Sequence, residues 1–226
     1  MMEKEADPAA GEPRLYLDPT FYLDSDSPDV ADFARATASP GNTAPERAVR
    51  LYYAVRDGIR YDPFQIAFRP EEFRASAVLK RGWGFCVPKA VLLAAAARAI
   101  GIPGRLRFAD VKNHLTTERL REKMGSDLFI FHGYTELFLD GRWVKATPTF
   151  NIGLCRKAGV PPLDFDGRND AVFHAFDGEG KKYMEYVKDR GTYSDLPYDV
   201  IMETYRKHYP LFFGKGTGGN EGENAP

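Results

Sequence analysis

Thiols and imidazoles are scarce in this chain: two cysteines, Cys86 and Cys155, and four histidines, His114, His132, His174 and His208. Cys86 is placed for chemistry. The string Trp83-Gly84-Phe85-Cys86 leads into an Ala-rich run, Val87 to Ile100, that is apolar nearly all round, so Cys86 heads a predicted helix. Pro88 fits there because first-turn amides have no intrahelical acceptor. A thiol at a helix N-terminus faces the positive end of the macrodipole, which favours thiolate and lowers its pKa. The competing reading is a small packed hydrophobe. A nucleophilic cysteine also needs an imidazole within hydrogen-bond reach, with no order in sequence imposed. His132 is the best candidate base, on a predicted strand directly before Gly133, whose missing side chain leaves room beside it. His208 falls on a terminal helix, His174 in mid-strand and His114 in a polar connection, which suits structural or solvated roles better. A thiol–imidazole pair of this kind attacks amide or ester carbonyls.

The elements that must carry this pair are readable. Ser27-Pro28-Asp29 starts a short helix, and Thr43-Ala44-Pro45-Glu46 is a capping box ahead of Ala48, Leu51, Tyr52, Val55 and Ile59 at helical spacing. Arg74 to Lys80 is another short helical piece. The Val87–Ile100 helix is buried on every side and stops at Gly101, before Pro103. Strands follow at Leu106–Val111, Phe129–Leu139 and Arg142–Phe150, the last two joined by Asp140-Gly141, a type I′ hairpin dipeptide. A two-residue turn pairs Leu139 with Arg142, Phe138 with Trp143 and Glu136 with Lys145, putting an aromatic pair and an opposite-charge pair directly across from each other. Extended further, it sets Tyr134 opposite Thr147 and His132 opposite Thr149, with His132, Thr147, Thr149 and Asn151 on one face. Val172–Phe176 and Tyr183–Val187 are predicted to flank a second hairpin at Asp177-Gly178-Glu179-Gly180, and Pro197–Tyr209 to form a terminal helix. A central helix feeding an antiparallel sheet is an α+β pattern.

These residues carry a family resemblance. Arg81-Gly-Trp-Gly-Phe-Cys86-Val-Pro-Lys-Ala-Val-Leu-Leu, followed by Arg98-Ala-Ile-Gly-Ile-Pro-Gly-Arg105, resembles the core of the transglutaminase-like superfamily, in which a Gly/Trp-flanked Cys starts a helix ending in a "GIPaR" segment. His132-Gly-Tyr-Thr-Glu-Leu-Phe-Leu-Asp-Gly-Arg-Trp143-Val-Lys-Ala-Thr-Pro-Thr149 is similar to the family's second motif, and Tyr52–Asp62 to the helix that precedes the Cys. The resemblance covers roughly residues 50–150. It implies a papain-like/transglutaminase-like fold and a Cys-His-Asp site, with Cys86 as nucleophile and His132 as base. Where the family places its Asp, this chain has Thr147. A Thr hydroxyl can hold the imidazole Nδ1–H, but it brings no charge. The third role therefore falls to Thr147, to Asn151, or to a carboxylate from Asp110, Asp164 or Asp166, unless catalysis has been lost. The Cys86 backbone N–H is a natural oxyanion donor. Gln65, Tyr61 and Trp83 are the side-chain candidates, with Trp83 and Gln65 expected to meet substrate and Tyr61 to pack in the core. The implied activity is hydrolysis of a peptide or other amide or ester, or acyl transfer of the transglutaminase type; the alternative is a catalytically silent transglutaminase-like binding module.

Composition narrows the remaining classes. Lys plus Arg number 31 against 32 Asp plus Glu, a net charge of −1, so there is no bulk field for nucleic acid or anionic lipid. No apolar run approaches the roughly 20 residues of a membrane span, and the acidic, Ala/Pro-rich N-terminus lacks the features of a signal peptide, so a cytoplasmic protein is expected. Two cysteines are too few for a disulfide scaffold. Cys86, His114, His132 and Cys155 include none of the close ligand pairs of a zinc site, and Gly178-Glu-Gly-Lys-Lys lacks the upstream Gly and following Ser/Thr of a P-loop, so neither metal nor cofactor is expected. Residues 14–213 are expected to form one domain, with the motifs in 50–150 and an extension over 151–213. Segments 1–13 and 214–226 are expected to be disordered.

Overall fold

The structure, a computed structural model, describes residues 13–66, 68–114, 116–173 and 183–213. Helix α1 (Pro28–Ala38) and helix α2 (Ala44–Gly58) lead into a two-residue strand β1 (Arg60–Tyr61). Helix α3 (Ala75–Arg81), strand β2 (Trp83–Gly84) and helix α4 (Cys86–Ala99) follow, then β3 (Gly104–Asn113), α5 (Glu118–Met124), β4 (Leu128–Leu139) and β5 (Arg142–Ala146). Helix α6 (Ile152–Ala158), strand β6 (Met184–Tyr193) and helix α7 (Tyr198–His208) complete the order. Four strands make an antiparallel sheet in the order β5-β4-β3-β6, and β1 pairs with β2 in a separate two-stranded parallel piece. This is the α+β architecture expected from the sequence.

Helix α4 is the centre. Every residue from Cys86 to Arg98 is buried, with α1, α2 and α3 packed around it on one side and β3 and β4 on the other. Two glycines let the sheet come this close. A Cβ on Gly104 would sit 3.0 Å from the Ala94 carbonyl oxygen, and one on Gly133 would sit 3.0 Å from the Phe108 ring and 3.2 Å from the Val87 Cα. The helix also buries two cations. The Lys89 ammonium donates to the carbonyls of Arg56 (2.8 Å) and Ile59 (2.7 Å) at the C-terminus of α2, where a positive charge meets the negative end of the helix dipole. Arg98 donates to the carbonyls of Gly104, Asp18 and Ser194, tying α4 to both flanking segments.

The capping box at Thr43 forms as expected, with the Glu46 N–H on Thr43 and the Glu46 carboxylate on the Thr43 N–H. The β4–β5 hairpin turns through Asp140 and Gly141, both at positive φ (48° and 82°), as a type I′ turn requires. Its register runs Leu139 to Arg142, Phe138 to Trp143 and Glu136 to Lys145, and the Phe138 and Trp143 rings meet edge to face at 5.3 Å. Three expectations are corrected here. The ladder stops at Thr135 with Ala146, not at Phe150, because Pro148 has no N–H to donate and the chain leaves to run along α2, where the Tyr52 hydroxyl donates to the Thr147 carbonyl (3.1 Å). The Glu136–Lys145 ion pair does not form: Glu136 is taken by Arg105 (2.7 Å) and Arg107 (3.2 Å), while Lys145 turns to Asp170 (3.4 Å). Strand β6 extends to Tyr193, and Ala171 makes only a single bridge to Ala146. His174, the expected hairpin at 177–180 and the terminal segments 1–12 and 214–226 lie outside the described residues. No helix among the described residues is long and apolar enough to cross a membrane.

Gly133→Ala should therefore act on the helix–sheet contact itself. Phe108 is fully buried and Val87 offers backbone, so neither can yield cheaply. A loss of about 1–3 kcal/mol is expected in urea unfolding. An unchanged midpoint would show that α4 can move away from β4 at little cost.

Candidate active site

Cys86 is the first residue of α4, and three local devices place it. Gly82, at φ 70°, ends α3 in the left-handed conformation, the β1–β2 bridge fixes the chain between them, and Gly84 admits Pro88, which would lie 3.0 Å from an added Cβ. The thiol points at β4. The backbone N–H groups of Gly133, Val87 and Cys86 itself stabilise its anion, but desolvation outweighs them and pushes the thiol up to about 11. The helix dipole was expected to lower it. At 6% exposure the site is too dry for a half-charge at the helix end to compensate.

His132 sits on β4 opposite Ala109 and, with Cys86, lines a small cavity walled by Tyr61, Phe85, Ile130, Tyr205 and Tyr209. It is 3% exposed, its ring packs against Phe173 at 5.7 Å, and desolvation lowers its pKa to about 4. The thiol and imidazole thus rest as a neutral pair. Immediately before His132 the β3–β4 ladder slips by one residue, and Phe131 is held at φ 53°, an unfavourable region for a bulky side chain. Asp110 stabilises this bulge. Its carboxylate accepts from the Phe131 N–H (3.1 Å) and from Arg190 through three contacts of 2.7–3.0 Å.

The Nε2 atom of His132 is buried without a hydrogen-bond partner, and so are the hydroxyls of Thr147 and Thr149. The other candidates for the third role are committed elsewhere. Asp110 serves the bulge, Asp164 is held by Arg56 (3.2 Å), and Asp166 caps the N–H groups of Arg168 and Asn169. Asn151 accepts from the Tyr61 N–H (2.6 Å) and donates to the Arg56 and Ile59 carbonyls, the same two that Lys89 holds. Trp83 and Gln65 are not brought to the thiol. They line a separate recess, with Trp83 beneath the Arg81 guanidinium (4.7 Å) and Gln65 donating to Asp62 (2.9 Å), because the β1–β2 pairing turns this segment outward. Tyr61, expected in the core, forms part of the wall beside Cys86. His114 faces Glu185 (3.5 Å), and His208 is exposed at the end of α7. Among the described residues no three His, Cys, Asp or Glu side chains cluster as metal ligands.

Next to the thiol cavity lies a larger cleft of about 330 Å³, bounded by Phe64, Phe150, Leu154, Cys155, Ala158 and Tyr183 among others. The two share Tyr61, Pro63, Leu120 and Phe129 as a common wall.

Residues 31–148, just over half of the chain, match the family model of the transglutaminase-like superfamily. The chain belongs to this superfamily. It is also similar to the crystal structure of a candidate cysteine protease from Cytophaga hutchinsonii, at 19% identity and a TM-score of 0.47, over 64% of this chain and 45% of that one. A candidate protease from Parabacteroides distasonis is similar at 16% identity and a TM-score of 0.38, over 56% and 26%. The chain thus spans less than half the length of either. No curated protein matches it. In this transglutaminase-like chain the features that sequence reasoning missed are the Gly133 N–H on the thiol, the Asp110–Arg190 clamp and the tyrosine walls. Only Tyr61 had a signal, as part of the Tyr-Asp segment ahead of the Cys.

Two outcomes follow from this geometry. His132 is held neutral, so between about pH 6.5 and 4 the unfolded chain binds a proton that the native chain refuses, and stability must fall as the pH falls through that window. The loss is at most roughly 3 kcal/mol, at about 1.4 kcal/mol for each pH unit. Chemical denaturation across that range should show it, and His132→Gln should flatten this part of the profile. Asp110→Ala orphans the Phe131 N–H and the partly exposed Arg190, and should cost about 1–3 kcal/mol. The nuclear magnetic resonance signals of the His132 ring should also shift. An unmoved ring would mean the bulge holds without its carboxylate.

Proposed function

We propose that this chain is a cysteine-dependent acyl hydrolase acting on a peptide, amide or ester, with Cys86 as nucleophile, His132 as general base and acid, and Thr147 as the residue that orients the imidazole. The observation that carries this reading is the meeting of Cys86, at a helix start, with His132 in one cavity, the thiol backed by the Gly133 N–H. Water is the acceptor because the described residues of the cavity wall include no carboxylate to hold an attacking amine; acyl transfer would use the same thioester.

The resting neutral pair favours concerted activation. As the sulfur attacks the carbonyl carbon, the thiol proton passes to the neutral imidazole, and the oxyanion is met by the Cys86 backbone N–H. The imidazolium then gives its proton to the leaving nitrogen or oxygen as that bond breaks, leaving a thioester on Cys86. Water attacks the thioester, His132 takes the water proton, and the carbon–sulfur bond breaks with return of the proton to sulfur. The His132 Nε2 and the Thr147 hydroxyl are both buried and unpartnered at rest, so the hydrogen bond by which Thr147 orients the ring would form as the site engages substrate. Because a hydroxyl carries no charge, the imidazolium is stabilised less than in a carboxylate triad.

Cys86→Ala should abolish turnover of an activated ester such as p-nitrophenyl acetate while the melting temperature stays near that of the parent. Thr147→Val should lower kcat by about 10-fold to 100-fold, short of the ~10⁴ seen when a triad Asp is neutralised. Full activity in Cys86→Ala, or its loss in Cys155→Ala alone, would overturn the assignment. The raised thiol pKa supports a silent module as the second reading, and Cys86 that stays unalkylated by iodoacetamide at pH 8 would favour it.

A further inference from the structure

We propose that the 330 Å³ cleft beside Cys86 is the subsite for an uncharged, apolar acyl group, so that the substrates of the site described above are amides or esters of large apolar acids. This rests on the hydrolase reading for its chemistry, but the cleft itself can be tested without it.

The volume lies at the lower end of the range for small-molecule sites. Aromatic and aliphatic side chains make most of the wall, among them Phe64, Phe129, Phe150 and Leu154. Among the described residues the charged side chains on it are Arg60 and Asp62, which pair with each other at 2.9 Å and offset each other's charge. Two features assign it to the acyl side. The cleft adjoins the thiol cavity along the wall of Tyr61, Pro63, Leu120 and Phe129 that the two share, so a group seated in it lies beside the cavity that holds the sulfur. His132 lines the thiol cavity but not the cleft. Since the imidazole must protonate the departing atom, the leaving group belongs on the His132 side and the acyl group on the other.

Binding to the Cys86→Ala chain, measured by isothermal titration calorimetry with N-octanoylglycinamide and N-acetylglycinamide, tests the cleft directly. Each buried methylene is worth about fourfold in affinity, so the octanoyl compound should bind at least tenfold more tightly. Leu154→Asp and Ala158→Trp, both at exposed positions on the rim, should remove that preference, while Val200→Asp on the outer side of α7 should keep it. Equal binding of the two compounds, or a preference that survives both rim variants, overturns the proposal. In parallel, kcat/KM of the wild-type chain for p-nitrophenyl octanoate should exceed that for the acetate by at least tenfold and depend on Cys86. Turnover independent of Cys86 would sink the hydrolase reading and leave the calorimetry to judge the cleft.

Discussion

The burial of α4 on every side is the constraint from which the rest of the structure follows. A helix with no solvent-facing stripe must be surrounded, and here three helices and a sheet do so. Close approach requires small residues on the helix, Ala90 and Ala94 to Ala97, and glycines on the strands, Gly104 and Gly133. Burying each Val or Leu of the run contributes roughly 1.5–3 kcal/mol, but the same dryness makes every polar group on the helix a liability. Lys89 and Arg98 are tolerated because five backbone carbonyls accept from them. Even so, desolvation pulls the Lys89 ammonium down to about 7.

The same constraint sets the electrostatics of the thiol. The helix start offers a positive field, and the Gly133 N–H adds a donor, yet desolvation outweighs both and holds thiol and imidazole neutral. A carboxylate beside His132 would oppose this by stabilising the imidazolium. Thr147 supplies none, and the buried Asp110 is spent on Arg190 and the Phe131 N–H. The site therefore has positioning built in, through the bulge, and little charge with which to pre-ionise its nucleophile. That favours proton transfer during attack over a preformed ion pair.

The positions around the pair divide by what they are bound to. Asn151 and Lys89 converge on the last carbonyls of α2, and Asn151 also takes the Tyr61 N–H, so this polar knot fixes the segment that separates thiol from cleft. Cleft and cavity differ in chemistry as well: the cavity holds the imidazole, whereas the cleft is apolar with a self-neutralised rim.

Much of this was legible in the residues. The capping box at Thr43, the all-round apolar run after Cys86 and the Asp140-Gly141 dipeptide each encode structure through interactions within a few positions of chain, and each formed, the hairpin in the expected register as far as Thr135 with Ala146 but not on to His132 and Thr149. The superfamily was legible too, from the strings around Cys86 and His132. What the residues did not determine are the outcomes of competition between distant partners. Glu136 faces Lys145 across the hairpin but bonds to Arg105 and Arg107 from the next strand. Trp83 lies near Cys86 in sequence, yet it lines another recess together with Gln65. The thiol pKa is the clearest instance. The dipole that lowers it is a property of one helix end and can be read locally, whereas the desolvation that raises it is the sum of everything packed around the site, which exists only once the chain has folded.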